Sequence, residues 1–379
     1  MEFKIKKSEF RECISRTQGI IEKTSNMPIL SMVLISSEND KIIVSATDLE
    51  LSFQETLPAE VISEGSAAIP GRKLFEIIKE SKGQEFYVKE TENRRIFISD
   101  GNTEFKLASL PPEEFPLLTE PEDVEYTSIE GDDLKDMIKK TIHTVTPEGA
   151  RNPNFRFSGI FVEKKEKKGN TFLRFVTTDG HRLSMIDKQV SGIENLDLEK
   201  GILIPKKGMA EINRLAQDGG LIEVGLKDKN FLVKKDNKLL IIRLLDIKFP
   251  RYEKVIPKKT DFLVYVDKLE FIDALRRMLI FITEKYMAVK MIIKEESMEL
   301  ISANLEIGEA FEVIGIEYKG KTIEEMEIAF NPKFLLDAVQ SMESKAIELN
   351  LIDKESPCII TGKDDPGFLA LIMPLRLPK

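Results

Sequence analysis

A unit that recurs three times along the chain constrains its fold more than any single motif, because a repeat sets the architecture before individual elements are assigned. Each copy opens with a short alternating stretch that runs into an amphipathic helix: Phe3-Lys-Ile-Lys-Lys-Ser-Glu-Phe10, Tyr126-Thr-Ser-Ile-Glu-Gly-Asp-Asp-Leu134 and Phe262-Leu-Val-Tyr-Val-Asp-Lys-Leu-Glu-Phe271. In the second copy Leu134, Met137, Ile138, Thr141, Ile142 and Val145 fall on one helical stripe, with Lys135, Lys139 and Lys140 off it. The first copy offers Phe10, Cys13, Ile14, Thr17 and Ile21 with Arg11 and Arg16 outside. The third offers Ile272, Leu275, Met278, Leu279 and Ile282 with Arg276 and Arg277 outside. Each helix thus has one face for a sheet and one for something polar.

Strand-like runs then end in a second phrase: Ser45-Ala-Thr-Asp-Leu-Glu50, Thr177-Thr-Asp-Gly-His-Arg182 and Ser302-Ala-Asn-Leu-Glu306. An Asp or Asn there predicts a turn, since its side chain can bond the backbone two residues on. A second helix follows, with proline or a basic pair at its start: Ile69-Pro-Gly-Arg-Lys-Leu-Phe75, Ile204-Pro-Lys-Lys-Gly-Met209 and Phe330-Asn-Pro-Lys-Phe-Leu335. A hairpin, with Asp100-Gly101 at one expected reversal, leads to the third phrase: Leu110-Pro-Pro-Glu-Glu-Phe-Pro116, Leu245-Asp-Ile-Lys-Phe-Pro250 and Met373-Pro-Leu-Arg-Leu-Pro378. The order predicts three α+β domains over 1–122, 123–257 and 258–379, each with two helices on one face of an antiparallel sheet.

The 379 residues are 42% hydrophobic and 32% charged, and no apolar run approaches the roughly 20 residues of a membrane helix. The alternating N-terminus lacks the apolar core of a signal peptide, so a cytoplasmic protein is expected. Cys13 and Cys358 stand at opposite ends without a CxxC or Cys/His cluster, which predicts two small buried residues and neither disulfide nor zinc. The net charge of −9 argues against nucleic acid as a whole-chain property. The six helical segments, however, hold 18 basic and 13 acidic residues, an excess of about +5 that leaves about −14 for sheets and loops. Helices presented to a polyanion would bind it weakly and without sequence preference; ordinary solvated helix faces explain the same charges.

The best case for an enzyme is Asp179 and His181 beside Arg182, with His143 the only other histidine. That is too few carboxylates and imidazoles for a metal-dependent hydrolase, and no Walker, GxSxG or HExxH motif occurs. No catalysis, metal or cofactor is therefore expected. The run Glu163-Lys-Lys-Glu-Lys-Lys168 reads as a solvated hairpin tip.

Met27-Pro-Ile-Leu30, Ala46-Thr-Asp-Leu-Glu50, Leu110-Pro-x-x-x-Phe-Pro116, Thr178-Asp-Gly-His-Arg-Leu183, Phe249-Pro-x-Tyr252 with Val255-Ile-Pro257, Glu284-Lys-Tyr286, Phe330-Asn-Pro332 and Met373-Pro-Leu-Arg-Leu377 occur in that order. With these phrases the chain resembles the bacterial DNA polymerase III beta subunit family over its whole length. The resemblance implies the DNA clamp fold in a head-to-tail homodimeric ring that encircles duplex DNA, a non-catalytic processivity factor. It also implies a cleft between domains 2 and 3 for short linear motifs of the replicative polymerase alpha subunit, the clamp loader, other polymerases and repair proteins. That cleft maps to Phe157, Thr178, Gly180, His181, Arg182, Leu183, Pro250, Lys254, Val255, Leu371, Met373, Pro374, Leu375 and Arg376, flanked by Asn331 and Phe334. Such an apolar floor with an Arg and His rim suits a peptide groove on chemical grounds as well. DNA would face Lys23, Arg72, Lys73, Lys139, Lys140, Lys206, Lys207, Arg276 and Arg277, and subunits would meet through Phe105, Leu107, Ile280 and Phe281. Lys254 replaces a usual arginine, Phe157 a smaller aliphatic residue and Thr24 a DNA-contacting arginine of some relatives, while Pro378-Lys379 extends the usual end.

Overall fold

The computed structural model describes residues 1–22, 26–116, 119–146, 158–283, 285–320 and 325–376. Helices stand where the repeated phrases predict them: α1 (Lys7–Thr17) and α2 (Gly71–Glu80), α3 (Gly131–Thr141) and α4 (Lys206–Ala216), α5 (Lys268–Leu279) and α6 (Pro332–Ser341). Their starts follow local chemistry. Asp267 caps α5 by accepting from Leu269 N (2.9 Å) and Glu270 N (3.0 Å), and Asn331 caps α6 through Lys333 N (3.0 Å) with Pro332 in the first turn. The predicted stripes supply most of the buried faces: Phe10, Cys13, Ile14 and Thr17 in α1, and Ile272, Leu275 and Met278 in α5. Phe271, outside the stripe, is buried as well, while Leu279 and, just past α5, Ile282 are half-buried.

The described strands form four antiparallel sheets, and two of them run across repeat boundaries. In an eight-stranded sheet, Leu51–Pro58 of the first repeat pairs with Lys238–Arg243 of the second, from Leu51 opposite Ile242 to Glu55 opposite Lys238. In a nine-stranded sheet, Arg182–Gln189 pairs with Phe368–Ile372 in the same way, from Arg182 opposite Ile372 to Ile186 opposite Phe368. A five-stranded sheet ends on the edge strand Glu104–Ala108, and a four-stranded one on Gly308–Gly315. Because sheets are shared, packing divides the chain into two compact units, residues 1–131 with 210–244 and residues 132–209 with 245–379.

The second repeated phrase forms the predicted turns. Asp48 Oδ1 accepts from Glu50 N (3.0 Å) and Leu51 N (2.7 Å), while Thr47 Oγ1 accepts from Leu49 N (3.0 Å). Asp179 Oδ1 accepts from His181 N (3.0 Å) and Arg182 N (3.1 Å), and Thr178 Oγ1 from Gly180 N (3.1 Å). Asn304 Oδ1 accepts from Glu306 N (3.0 Å). The residue after the Asp is left-handed, φ +76° at Leu49 and +87° at Gly180. Asp100 likewise holds its reversal through Asn102 N (3.0 Å) and Thr103 N (2.7 Å) and also accepts from Lys82 N and Gly83 N after α2, and these four N–H groups draw its pKa down to about 2.

Candidate functional site

In the second unit the turn at 178–182 meets the segment after Phe368–Ile372. Met373 N donates to His181 O (2.9 Å), and two residues on Leu375 N donates to Ala329 O (2.8 Å), beside the cap of α6. Gly180, His181, Met373 and Arg376 are exposed here, with Thr178, Pro374, Leu375, Asn331 and Phe334 partly so. Leu183 and Leu371 face each other across the ladder, but each is only 2% exposed and belongs to a core with Val176, Met185, Leu203, Phe249 and Tyr252. Their side chains are thus core, buried beneath the exposed residues of this junction, where the sequence reading expected them to line a cleft. Pro250, Lys254 and Val255 are exposed on the loop that Phe249 and Tyr252 anchor into that same core. Phe249 stacks on Phe161 at 4.7 Å, and Tyr252 Oη accepts from Arg174 (3.0 Å) and donates to Glu163. Glu163 is therefore a buried support, although Lys168 and Gly169 do form the expected tip, with φ +49° and +80°. Phe157 lies outside the described residues.

Arg182 is committed within the protein. Its Nε donates to Asp179 Oδ2 (2.9 Å), Nη1 to Asp337 Oδ2 on α6 (2.7 Å) and Nη2 to His143 O (2.8 Å), and its guanidinium lies 4.2 Å from the Phe334 ring centre. It corrects the picture of a rim arginine free to bond a peptide: it fastens the turn, α6 and the short turn that follows α3 together. Burial first, then the Arg182 charge, lowers the His143 pKa to about 4, so its ring is neutral. Asp179 is spent on the turn and on Arg182, which removes it as a general base.

The basic residues sort unevenly. Lys140, 3% exposed, pairs with Asp136 (2.8 Å) and Asp365 (2.9 Å), so it is a structural cation and not one that faces DNA. Burial opposes its charge, but hydrogen bonds to the two carboxylates outweigh that and raise its pKa. Lys73, Lys139, Arg276 and Arg277 are exposed and lean on Glu76, Glu343, Asp273 and Glu312. Arg72, Lys206 and Lys207 are half-buried, and Lys23 lies outside the described residues. Arg16, which the stripe left outside, clamps the buried Glu55 at 2.9 Å.

Phe105 and Leu107 are half-buried on the edge strand Glu104–Ala108; Ile280 is exposed and Phe281 half-buried just past α5. The sequence reading missed Phe311 and Val313, exposed on the other edge strand, and Leu305, 91% exposed at its turn. Their alternation in Phe311-Glu-Val313 was the available clue.

Residues 1–119, 128–251 and 253–376 match the family profiles of the N-terminal, central and C-terminal domains of the DNA polymerase III beta subunit. The chain is similar to the beta sliding clamp of Chlamydia muridarum, 30% identical over 379 residues that cover all of this chain and 99% of that protein. It is 27% identical to the beta sliding clamp of Caulobacter vibrioides, with both chains fully covered. Among solved structures, the Bartonella birtlesii sliding clamp bound to griselimycin superposes with a TM-score of 0.92 at 27% identity. The DNA polymerase III beta subunit of Thermotoga maritima gives 0.89 at 27%, and both cover the two chains in full.

Proposed function

The chain belongs to the DNA polymerase III beta subunit family, and from that premise we propose a division of labour among its surfaces. The protein is a DNA sliding clamp, a non-catalytic processivity factor of DNA replication. It works in the cytoplasm as three clamp domains, 1–122, 123–257 and 258–379. The exposed cations Lys73, Lys139, Arg276 and Arg277, with Arg72, Lys206 and Lys207, hold duplex DNA through phosphates. Lys73, Lys139, Arg276 and Arg277 already carry an acidic neighbour, which keeps the attraction weak enough for sliding.

The groove around Gly180, His181, Met373, Pro374, Leu375, Arg376, Pro250, Lys254 and Val255 receives linear motifs of the replicative polymerase, the clamp loader and repair proteins. The observation that carries this reading is the Met373 N to His181 O bond, which seats two chain segments far apart in sequence on one ladder. Burial of two or three apolar anchors is worth about 1.5–3 kcal/mol each before ordering costs, so exchangeable, micromolar binding follows. A labelled peptide carrying glutamine followed by leucine and phenylalanine should bind, and Met373→Ala should weaken it. No measurable affinity in the wild type would remove the groove from the proposal.

Two protomers join by repeating what the chain does internally. Leu110, Leu245 and Leu375 occupy equivalent positions, donating to Ala68 O (2.9 Å), Leu203 O (3.0 Å) and Ala329 O (2.8 Å). Counting back three residues gives Ile242 and Ile372, the partners of Leu51 and Arg182, and Leu107 in the first repeat. Counting three on from the turn residues Asp48, Asp179 and Asn304 gives Leu51, Arg182 and Ile307. The edge strands Gly308–Gly315 and Glu104–Ala108 of different protomers therefore pair with Ile307 opposite Leu107, and Phe281 and Ile280 close over the seam. Retention on nicked circular but not linearised plasmid tests the closed ring.

A further inference from the structure

The first unit contains a second groove built on the same plan, and we propose that it binds an extended peptide carrying an aliphatic side chain next to a single carboxylate. The correspondence is residue by residue. Met373 N bonds His181 O at 2.9 Å, and Arg243 N bonds Glu50 O at 2.8 Å. Gly180, His181 and Met373 thus answer to Leu49, Glu50 and Arg243, at the head of the two strand pairs with matching register. At this place in the first unit lies a groove of about 370 Å³, lined by Leu49, Ile241, Glu50, Asp228, Lys229 and Arg243 among others.

Two features point to a ligand. Leu49 is 50% exposed at φ +76°, a left-handed conformation that branched and bulky side chains disfavour, so an apolar group is held outward against backbone strain. Charge then defines the chemistry. The side chains of Arg243, Glu50 and Asp228 make no hydrogen bond or ion pair among the described residues. The guanidinium asks for a carboxylate, preferably bidentate. The lining charges balance, Glu50 and Asp228 against Arg243 and Lys229, so a polyanion gains little there while the carboxylates can accept peptide N–H groups. An aliphatic anchor on Leu49 and Ile241 with one acidic neighbour on Arg243 satisfies all of these. Where the groove proposed at Met373 holds only basic charges, this one carries both signs. The inference takes from the proposed function only the idea that such a junction can hold a peptide.

The test is fluorescence anisotropy of a labelled, end-blocked Gly-Leu-Asp-Leu-Gly peptide against the full chain. Saturable binding is expected, weakened about tenfold by Arg243→Glu and by Leu49→Asp, and unchanged by Met373→Ala. Arg243→Gln, with the fold checked by circular dichroism, provides a gentler variant that should also weaken it. Absence of saturation, equal binding by Arg243→Glu, loss with Met373→Ala, or displacement by inorganic phosphate would each overturn the proposal. If the Gln-Leu-Phe peptide fails to bind while Arg243-dependent binding persists, the groove at Met373 fails alone.

Discussion

At the scale of single residues, Arg182 holds the proposed peptide groove in shape. Its partners come from three elements, so Arg182→Lys, which keeps the charge and loses the fork, should weaken the Gln-Leu-Phe peptide about tenfold. Asp337→Asn should do the same, and the two changes together should cost little more than either, as a binding titration over the double-mutant cycle would read. Independent, additive losses would mean that Arg182 touches the peptide itself. Beside it, His143 titrates near pH 4 when folded and near 6.5 when exposed. Between those values the unfolded chain binds the extra proton, so stability rises with pH through that window and is fully present above it. His143→Gln should flatten this part of a plot of denaturant midpoint against pH; an unchanged slope would clear His143 of the effect. The sequence singled out Arg182 but could not reveal its work, because Asp337 and the His143 carbonyl lie 155 and 39 positions away.

Elements were the most legible level. The three turn phrases, the helix stripes and the hairpin at Asp100-Gly101 follow from chemistry within a few residues, and the structure has them where local rules place them. What periodicity could not show is a helix covered on a second side. Lys140 lies off the apolar stripe of α3, yet it reaches Asp365, whose other oxygen contacts are Glu343 N (2.9 Å), Ser344 N (2.9 Å) and Ser344 Oγ (2.6 Å). Lys140→Glu should therefore destabilise the fold by about 3–5 kcal/mol, since it replaces the cation beside the buried Asp365 with a second buried carboxylate. Lys139→Glu should leave thermal stability nearly unchanged and weaken DNA association at low salt. Melting curves and DNA retention of the two variants separate these roles; equal stability would return Lys140 to the surface. Leu183 and Leu371 taught the same lesson for strands. The resemblance placed both in the cleft, and it is the tertiary packing with Phe249 and Tyr252 that makes them core.

For the whole molecule, the register proposed between protomers can be trapped. Ile307→Cys with Leu107→Cys should cross-link two chains under mild oxidation, whereas Ile307→Cys with Lys106→Cys should not, because a shift of one residue turns a side chain to the other face. Cys13 and Cys358 are buried, and burial raises both thiol pKa values, so neither should interfere. Phe311→Asp should yield a folded monomer by light scattering; a dimer of unchanged stability would move the seam elsewhere. The two internal strand pairings differ from the one proposed between protomers in one respect, that a continuous chain spans them. Two protomers that close head to tail share two of the uncovered seams, so each seam is tethered by the other. When one parts, its halves remain at a high effective concentration, on the order of millimolar for a flexible tether, and resealing becomes a first-order event indifferent to dilution. Separation of the subunits requires both seams to be open at once. Such a ring outlives either contact that forms it, and whatever loads it on DNA has only to hold a single gap from closing.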